Sequence, residues 1–319
     1  MPTLVLTRSE VARLLEPLPL LDAVRRGFVA ASGAKITPQR GRSSLPHADA
    51  SATVLFPGLL PYIPAYTVKV HAKFPDANPA IRGLVQLFDL YTGELLAVMD
   101  SGHLTALRTA AAGAVAADVL AREDAANVAL IGAGVQNALQ LPLLGLVRNL
   151  RTVTVFDTAP LVTGPFVRRL AAQTEAKLVP ADSLAEAVAD ADIVVAATWA
   201  REPFLYPDLL RAGAHVTTLG ADEPGKAEAS ADLVASSRFF CDDAGLALST
   251  GAVGNVSLTE EAVTGELGDV LGGRVQGRLG DELTVYAGVG LAWMDLVAAW
   301  AVYRAALTTG AGQRVDFLA

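Results

Sequence analysis

The run Asn127 to Ile131, closed by Gly132, Ala133 and Gly134, constrains the fold of this chain more than any other segment. Asn-Val-Ala-Leu-Ile is apolar and β-prone, it ends in a Gly-x-Gly turn, and the following Ala138 to Arg148 has helix-forming composition. A strand, a tight turn and a helix in that order aim the N–H groups of the helix start at an anion, the geometry that holds a pyrophosphate. Gly132 makes the turn, and Gly134 leaves free the space that a Cβ would take from a phosphate. Asn137 stands where the fingerprint has its third glycine, so the match is incomplete. The context strengthens it. A second strand, Val153 to Phe156, ends in Asp157, at the distance where a carboxylate accepts hydrogen bonds from the ribose 2′-OH. The same charge repels a 2′-phosphate, and Thr158 and Ala159 offer no arginine to bind one, so NAD is expected over NADP.

From Ala126 onward apolar strands alternate with helices, the pattern of an α/β fold with a doubly wound parallel sheet covered on both faces. The expected strands are Asn127–Ile131, Thr152–Phe156, Lys177–Val179, Ile193–Ala197, His215–Leu219 and Arg238–Cys241. Glu282 to Tyr286 precedes a second glycine pair, Gly288 and Gly290, and the apolar Leu291 to Leu307 is expected as a helix packed on that sheet. Residues 1–115 differ in texture and read as an α+β domain. They hold a helix over Leu20–Ser32, strand-like segments broken by Pro38, Pro46, Pro57, Pro61, Pro64, Pro75 and Pro79, and the start of an alanine-rich helix, Leu104–Ala121. Tyr91-Thr92-Gly93-Glu94, between Gly83–Leu90 and Leu95–Met99, reads as a hairpin turn. With 319 residues, 52% hydrophobic and only 18% charged, the chain has material for two cores.

A formal charge of -8 without a basic cluster argues against nucleic acid as a partner. No apolar stretch has the length of a membrane span, and Met1 to Glu10 lacks a basic segment followed by an apolar run, so a soluble cytoplasmic protein is expected. The single Cys241 reads as a buried strand residue, and the four histidines show no metal-binding spacing.

Three cations stand in the charge-poor first part: Arg40, Lys69 within Thr67-Val68-Lys69-Val70, and Arg108 within the alanine-rich helix. Strand alternation allows Lys69 to point to solvent, and exposure is the ordinary state of an arginine on such a helix. Brought together, the three would grip a carboxylate through paired hydrogen bonds. A lysine held beside other cations and partly buried has its ammonium form disfavoured, which brings its pKa toward working pH and makes it a proton shuttle. In the second part, Leu219-Gly220-Ala221-Asp222 leaves a strand at its carboxyl edge, where open α/β sheets take their ligands. Asp222 either caps the following segment or stabilises a cationic amine or iminium.

His103 to Ala111, Ile131 to Gln136 and Leu219 to Glu228, together with Val68-Lys69-Val70, the Phe74-Pro75 to Asn78 turn and Leu283-Thr284-Val285-Tyr286 before Val289-Gly290, resemble the motifs of the ornithine cyclodeaminase and mu-crystallin family in order and spacing. The resemblance covers nearly the whole chain. It implies a homodimer in which residues 1–115 with 306–319 bind substrate and partner, while residues 116–305 form a Rossmann domain for NAD(P). It also implies Arg40, Lys69 and Arg108 at the substrate carboxylate, Lys69 as proton donor or acceptor, and Asp222 at the reacting nitrogen. Arg42, two residues from Arg40, competes for the first role. Arg108, Thr109, Gly132, Gly134, Val135, Gln136, Asp157, Thr198 and Lys226 would line the cofactor, and no metal is implied.

Two departures narrow the activity. Family members that act on ornithine carry a glutamate at the position of Val54, and the family's aspartate-serine pair before Val-Gly is Ala287-Gly288 here. Both count against ornithine. The resemblance then implies hydride transfer between NAD(H) and the α-carbon of a small amino or imino acid, as in Δ1-pyrroline-2-carboxylate reductases and alanine dehydrogenases. The alternatives are an ornithine or lysine cyclodeaminase with catalytic NAD and ammonia release, and a non-catalytic NAD(P)-binding protein of the mu-crystallin type.

Overall fold

The computed structural model describes residues 2–34, 39–47, 50–317 and 319; the expected break at Pro38 lies outside them. The chain forms two compact units, residues 1–108 with 291–319 and residues 109–290. The first unit runs through β1 (Thr3–Leu6), α1 (Arg8–Leu14), α2 (Pro17–Ala34), β2 (Gln39–Ser44), β3 (Ser51–Gly58), β4 (Ala65–Lys73), β5 (Ile81–Asp89) and β6 (Leu95–Asp100) into α3 (Ser101–Leu120). The second unit holds β7 (Asn127–Ile131), α4 (Val135–Gly145), β8 (Thr152–Phe156), α5 (Pro160–Leu170), β9 (Lys177–Pro180), α6 (Leu184–Val188), β10 (Ile193–Ala196) and β11 (His215–Thr218). It continues with α7 (Ala231–Ser236), β12 (Arg238–Cys241), α8 (Ala244–Ser249), α9 (Ala252–Asn255), β13 (Gly265–Glu266), α10 (Leu267–Leu271) and β14 (Thr284–Ala287). The chain then returns to the first unit as α11 (Ala292–Thr309) and β15 (Gln313–Val315).

The first unit is built on a seven-stranded sheet in the order β15-β1-β6-β5-β4-β3-β2, antiparallel except where β1 meets β6. Asp89 closes the expected β5–β6 turn, its Oδ1 accepting from the N–H groups of Tyr91 at 2.9 Å and Thr92 at 2.8 Å. The alternation along β4 is inverted: Thr67, Lys69, His71 and Lys73 are buried, while Val70 is 45% exposed. The inversion is possible because α11 lies on the polar face of β3, β4 and β5 and brings a counter-charge with it. Trp293 anchors that helix, its ring edge-on to Phe28 at 5.0 Å, and a Cβ on Gly27 would lie 2.3 Å from the same ring. Each large apolar side chain that α11 buries, among them Leu296 and Val302, contributes about 1.5–3 kcal/mol.

This corrects two expectations. The last helix packs on the first unit's sheet rather than on the parallel one, because it is apolar on nearly every side and its sequence does not say which sheet it covers. The unit boundaries accordingly fall at 108/109 and 290/291 rather than at 115/116 and 305/306.

The second unit is an eight-stranded parallel sheet in the order β13-β12-β14-β11-β10-β7-β8-β9. From β7 the chain winds outward through β8 and β9, then returns to lay β10 on the other side of β7. The two strands therefore flank a topological switch point, where such sheets bind ligands. All six expected strands are present, with ends shifted by one residue in three. Thr284–Ala287 adds a strand between β11 and β12, and helix α4 starts at Val135 rather than at Ala138. Among the described residues no helix is long and apolar enough to cross a membrane, and no group of three His, Cys, Asp or Glu side chains is placed to hold a metal.

Candidate functional site

In the first unit, β4, α3 and α11 bring one carboxylate between two cations. Lys69 Nζ donates to Asp295 Oδ1 at 2.9 Å and lies 2.7 Å from Oδ2, while Arg108 Nε donates to Oδ1 at 3.1 Å. Thr105 Oγ1 accepts a further bond from Lys69 at 3.4 Å. Lys69 is 1% exposed and Arg108 4%, so neither takes the solvent-facing position that alternation and helix composition allowed. Burial is the largest influence on Lys69 and pulls its pKa down, with Arg108 and Arg40 adding to it and Asp295 opposing; the outcome is about 7. Burial alone would raise the Asp295 carboxyl, but Lys69 and Arg108 outweigh it and hold the group below the usual carboxylate range.

Strand register separates the two candidate arginines. Arg40 pairs with Leu55 and Leu55 with Lys69, which sets Arg40 in the lysine's row, whereas Arg42 pairs with Thr53 in the row of His71. Val54 pairs with Val70 on the opposite face from Lys69, so within this unit the missing glutamate does not bear on the Lys69 cluster. Asp295 escaped sequence reasoning. The signal was there as the one acid in an otherwise apolar helix, where an unpaired carboxylate would be prohibitively costly to bury.

In the second unit, Gly132 adopts φ +99°, and a Cβ there would lie 2.7 Å from the Ala197 carbonyl oxygen. Around the Cβ position of Gly134 there is nothing within 4 Å, and no side chain caps α4. Asn137, in the place of the third glycine, is buried and donates from Nδ2 to the Ile131 and Gly132 carbonyls at 2.9 and 2.7 Å, so it ties the turn down from inside. Asp157 accepts from Ala133 N at 2.7 Å and from Ala159 N at 2.8 Å, and a carboxylate has lone pairs to spare beyond these two bonds. Val135 is exposed and Gln136 half-buried in the first turn of α4. The open space at Gly134, the uncapped helix start and the acid at the end of β8 fit a dinucleotide: N–H groups for the pyrophosphate, Asp157 for a ribose hydroxyl.

Thr198, just beyond β10, donates from N and Oγ1 to Glu228 Oε1 at 2.7 and 2.8 Å. The other oxygen of Glu228 accepts from Thr218 Oγ1 at 2.6 Å and from Gly220 N at 2.8 Å. Glu228, fully buried, thus ties together the loops that leave β10 and β11. Sequence reasoning noted it only as part of a motif. Asp222 accepts from Lys226 Nζ at 3.3 Å, and that ammonium lies 4.4 Å above the Trp199 ring. Thr109 is half-buried on α3, at the first position of the second unit.

The model of the ornithine cyclodeaminase/mu-crystallin family matches residues 1–310. The Δ1-pyrroline-2-carboxylate reductase of Thermococcus litoralis, solved with NADH and L-proline, superposes with a TM-score of 0.93 at 28% identity, covering 98% of this chain and 100% of its own. An archaeal alanine dehydrogenase dimer with bound NAD gives 0.91 at 29% identity, covering 100% of both chains. The iminosuccinate reductase of Paracoccus denitrificans with NAD+ gives 0.91 at 28% identity, covering 99% of this chain and 100% of its own.

Proposed function

This chain belongs to the ornithine cyclodeaminase/mu-crystallin family, and from that premise we propose that it is an NAD(H)-dependent oxidoreductase that transfers hydride at the α-carbon of a small amino or imino acid. The observation that carries the reading is a lysine held near neutrality inside a buried charge cluster. A lysine needed only for packing gains nothing from a pKa of about 7, whereas a group that must both hold and release a proton works best there. NAD, when bound, supplies or takes the hydride. Arg108 spends Nε on Asp295 and turns Nη1 toward the Met294 sulfur, a weak acceptor, so Nη2 is the nitrogen assigned to the substrate carboxylate, with Arg40 in the same role. Lys69 Nζ carries the proton exchanged with the substrate nitrogen, and Asp222 is assigned the positive charge that develops there. Gly132, Gly134, Val135, Gln136, Asp157, Thr198, Lys226, Thr109 and Arg108 are assigned to the dinucleotide.

The test is NADH oxidation by the purified protein against Δ1-pyrroline-2-carboxylate and against 2-oxo acids with ammonia, run beside ammonia release from ornithine. Imine-dependent oxidation is expected; ammonia release without net NADH change would instead indicate a cyclodeaminase. The pH profile has a definite sign. Reduction needs the Lys69 ammonium, which persists below pH about 7, so kcat/KM for the imine falls as pH rises through that value, and the reverse oxidation rises through it. A flat profile between pH 6 and about 8.5 would remove Lys69 from proton transfer. For the cofactor, Asp157→Ala is expected to weaken NADH binding about 10- to 100-fold by fluorescence titration, the usual cost of a lost charge-assisted hydrogen bond, and to narrow the preference over NADPH.

The reading includes a cytoplasmic homodimer. A second copy is supported by the outward row Val54, Val70 and Leu84 on the first unit's sheet, where Val70 and Leu84 are 45% and 49% exposed. The free Cys241 thiol fits a reducing compartment.

A further inference from the structure

Beyond Lys69, the inward face of β4 carries a second polar row. His71 is 5% exposed, and neither ring nitrogen has a hydrogen-bond partner. Burial, with Lys69 and Lys73 close by, pushes its pKa down to about 3, so the imidazole is neutral and offers one N–H donor and one acceptor. Buried polar groups are nearly always paired, and each exception calls for an explanation. Two hydroxyls around His71 are in the same state. Ser51, on the next rung of β3 opposite Lys73, has an unpartnered buried Oγ. Ser101 does too, and the register places it: Val70 pairs with Leu84 and Leu84 with Asp100, so β6 ends level with Val70 and Ser101 opens α3 level with His71. A Cβ on the neighbouring Gly102 would lie 3.6 Å from the carbonyl of Ile81, the partner of Lys73. Directly across from His71 is Gly83, where a Cβ would lie 2.6 Å from that of His71.

Each group gathered here can donate, an imidazole N–H and two hydroxyls, with the Lys73 ammonium one rung away and Arg42 in the same row through Thr53. The acids nearby are already engaged: Asp100 directs Oδ1 to the N–H groups of Gly102 and His103, and Asp295, whose charge reaches His71, is held by Lys69 and Arg108. The donors suit an anionic acceptor, and the positive charges of Lys73 and Arg42 disfavour the ω-ammonium of a diamino acid. We infer that His71, Ser51 and Ser101 form a subsite for a second carboxylate, so that the substrate is a 2-imino or 2-amino dicarboxylate. The inference rests on the hydride-transfer reading for the first carboxylate, held in the row of Lys69 and Arg108. One two-residue step along β4, about 6.7 Å, separates the rows, comparable with the span of a four-carbon diacid.

The experiment is calorimetric titration of the full-length protein, in the presence of NAD+, with succinate and with propionate, which lacks the second carboxylate. Succinate is expected to bind at least about tenfold more tightly, and His71→Val to bring the ratio of the two affinities to near one, as loss of a charge-assisted hydrogen bond does. His71→Asn, which keeps a donor, is expected to retain part of the preference and guards against a folding defect. Equal binding of the two acids by the wild type, or an unchanged ratio in His71→Val, would overturn the subsite. Turnover separates this inference from the broader reading. Preferred reduction of oxaloacetate with ammonia over pyruvate with ammonia supports both, whereas a succinate preference with no NADH oxidation on any imine counts against hydride transfer and leaves the subsite standing.

Discussion

Replacing Lys69 with methionine is expected to lower kcat for imine reduction by about a hundred- to ten-thousandfold, the range of a lost general acid, while NADH affinity changes by less than about twofold. Methionine fills the volume of the lysine stem, so the loss would measure the missing proton carrier rather than a cavity. The separation of the two readouts matters. Lys69 lies in the first unit, whereas the glycine turn and Asp157 lie in the second, so a variant that lost both cofactor affinity and turnover would point to general disruption. A Lys69→Met protein with half the wild-type kcat would end the assignment. Lys69→Arg is no rescue, since a guanidinium stays charged at every accessible pH and has no proton to exchange.

The second large effect belongs to Asp295. Asp295→Asn leaves Lys69 and Arg108 facing each other in a buried space without a full counter-charge, and breaking a buried ion pair in this way costs about 3–5 kcal/mol. A shift of the urea midpoint to lower concentration should show it, and a variant as stable as the wild type would mean that the pair is solvated and the cluster weaker than its geometry indicates. The same substitution carries a signature that simple destabilisation would not produce. Asp295 is the influence that raises the lysine's pKa against burial, so its removal moves the falling limb of the reductive pH profile below pH 7. Asp295→Glu keeps the charge and should return part of both effects.

What could be read from the sequence was local. The strand, glycine turn and helix at 127–145 lie within one stretch of chain, and the strands of the parallel sheet are short apolar runs that need no distant partner to be recognised. The Lys69 face was ambiguous for the opposite reason. On β4 the polar residues occupy one alternate set and the apolar residues the other, so alternation alone assigns the valines to the core; only a helix 226 residues away in sequence reverses the choice. Asp295 was hidden by the company it keeps in an apolar helix, and Glu228 by the fact that its four partners are two loop N–H groups and two threonines, which no side-chain pattern reveals. Asn137 shows the converse. It looked like a defect in the glycine motif, yet it performs the close packing of turn and helix with hydrogen bonds instead of with a missing side chain.

The division of the first unit between the two ends of the chain has a consequence for the order in which the protein is made. When Lys69 and Arg108 leave the ribosome, their carboxylate does not yet exist, and neither does β15, the strand that pairs with β1 on its other side from β6. Synthesis of residues 109–290 at 5–20 residues per second occupies roughly ten to forty seconds. Only at the end of that interval, with β14 made, does the second unit have all of its sheet, and throughout it the sheet of the first lies uncovered on the face that α11 will close. The nascent chain is therefore most vulnerable to misassociation just before residues 291–319 emerge, and those residues close the first unit's sheet and the Lys69 charge cluster together.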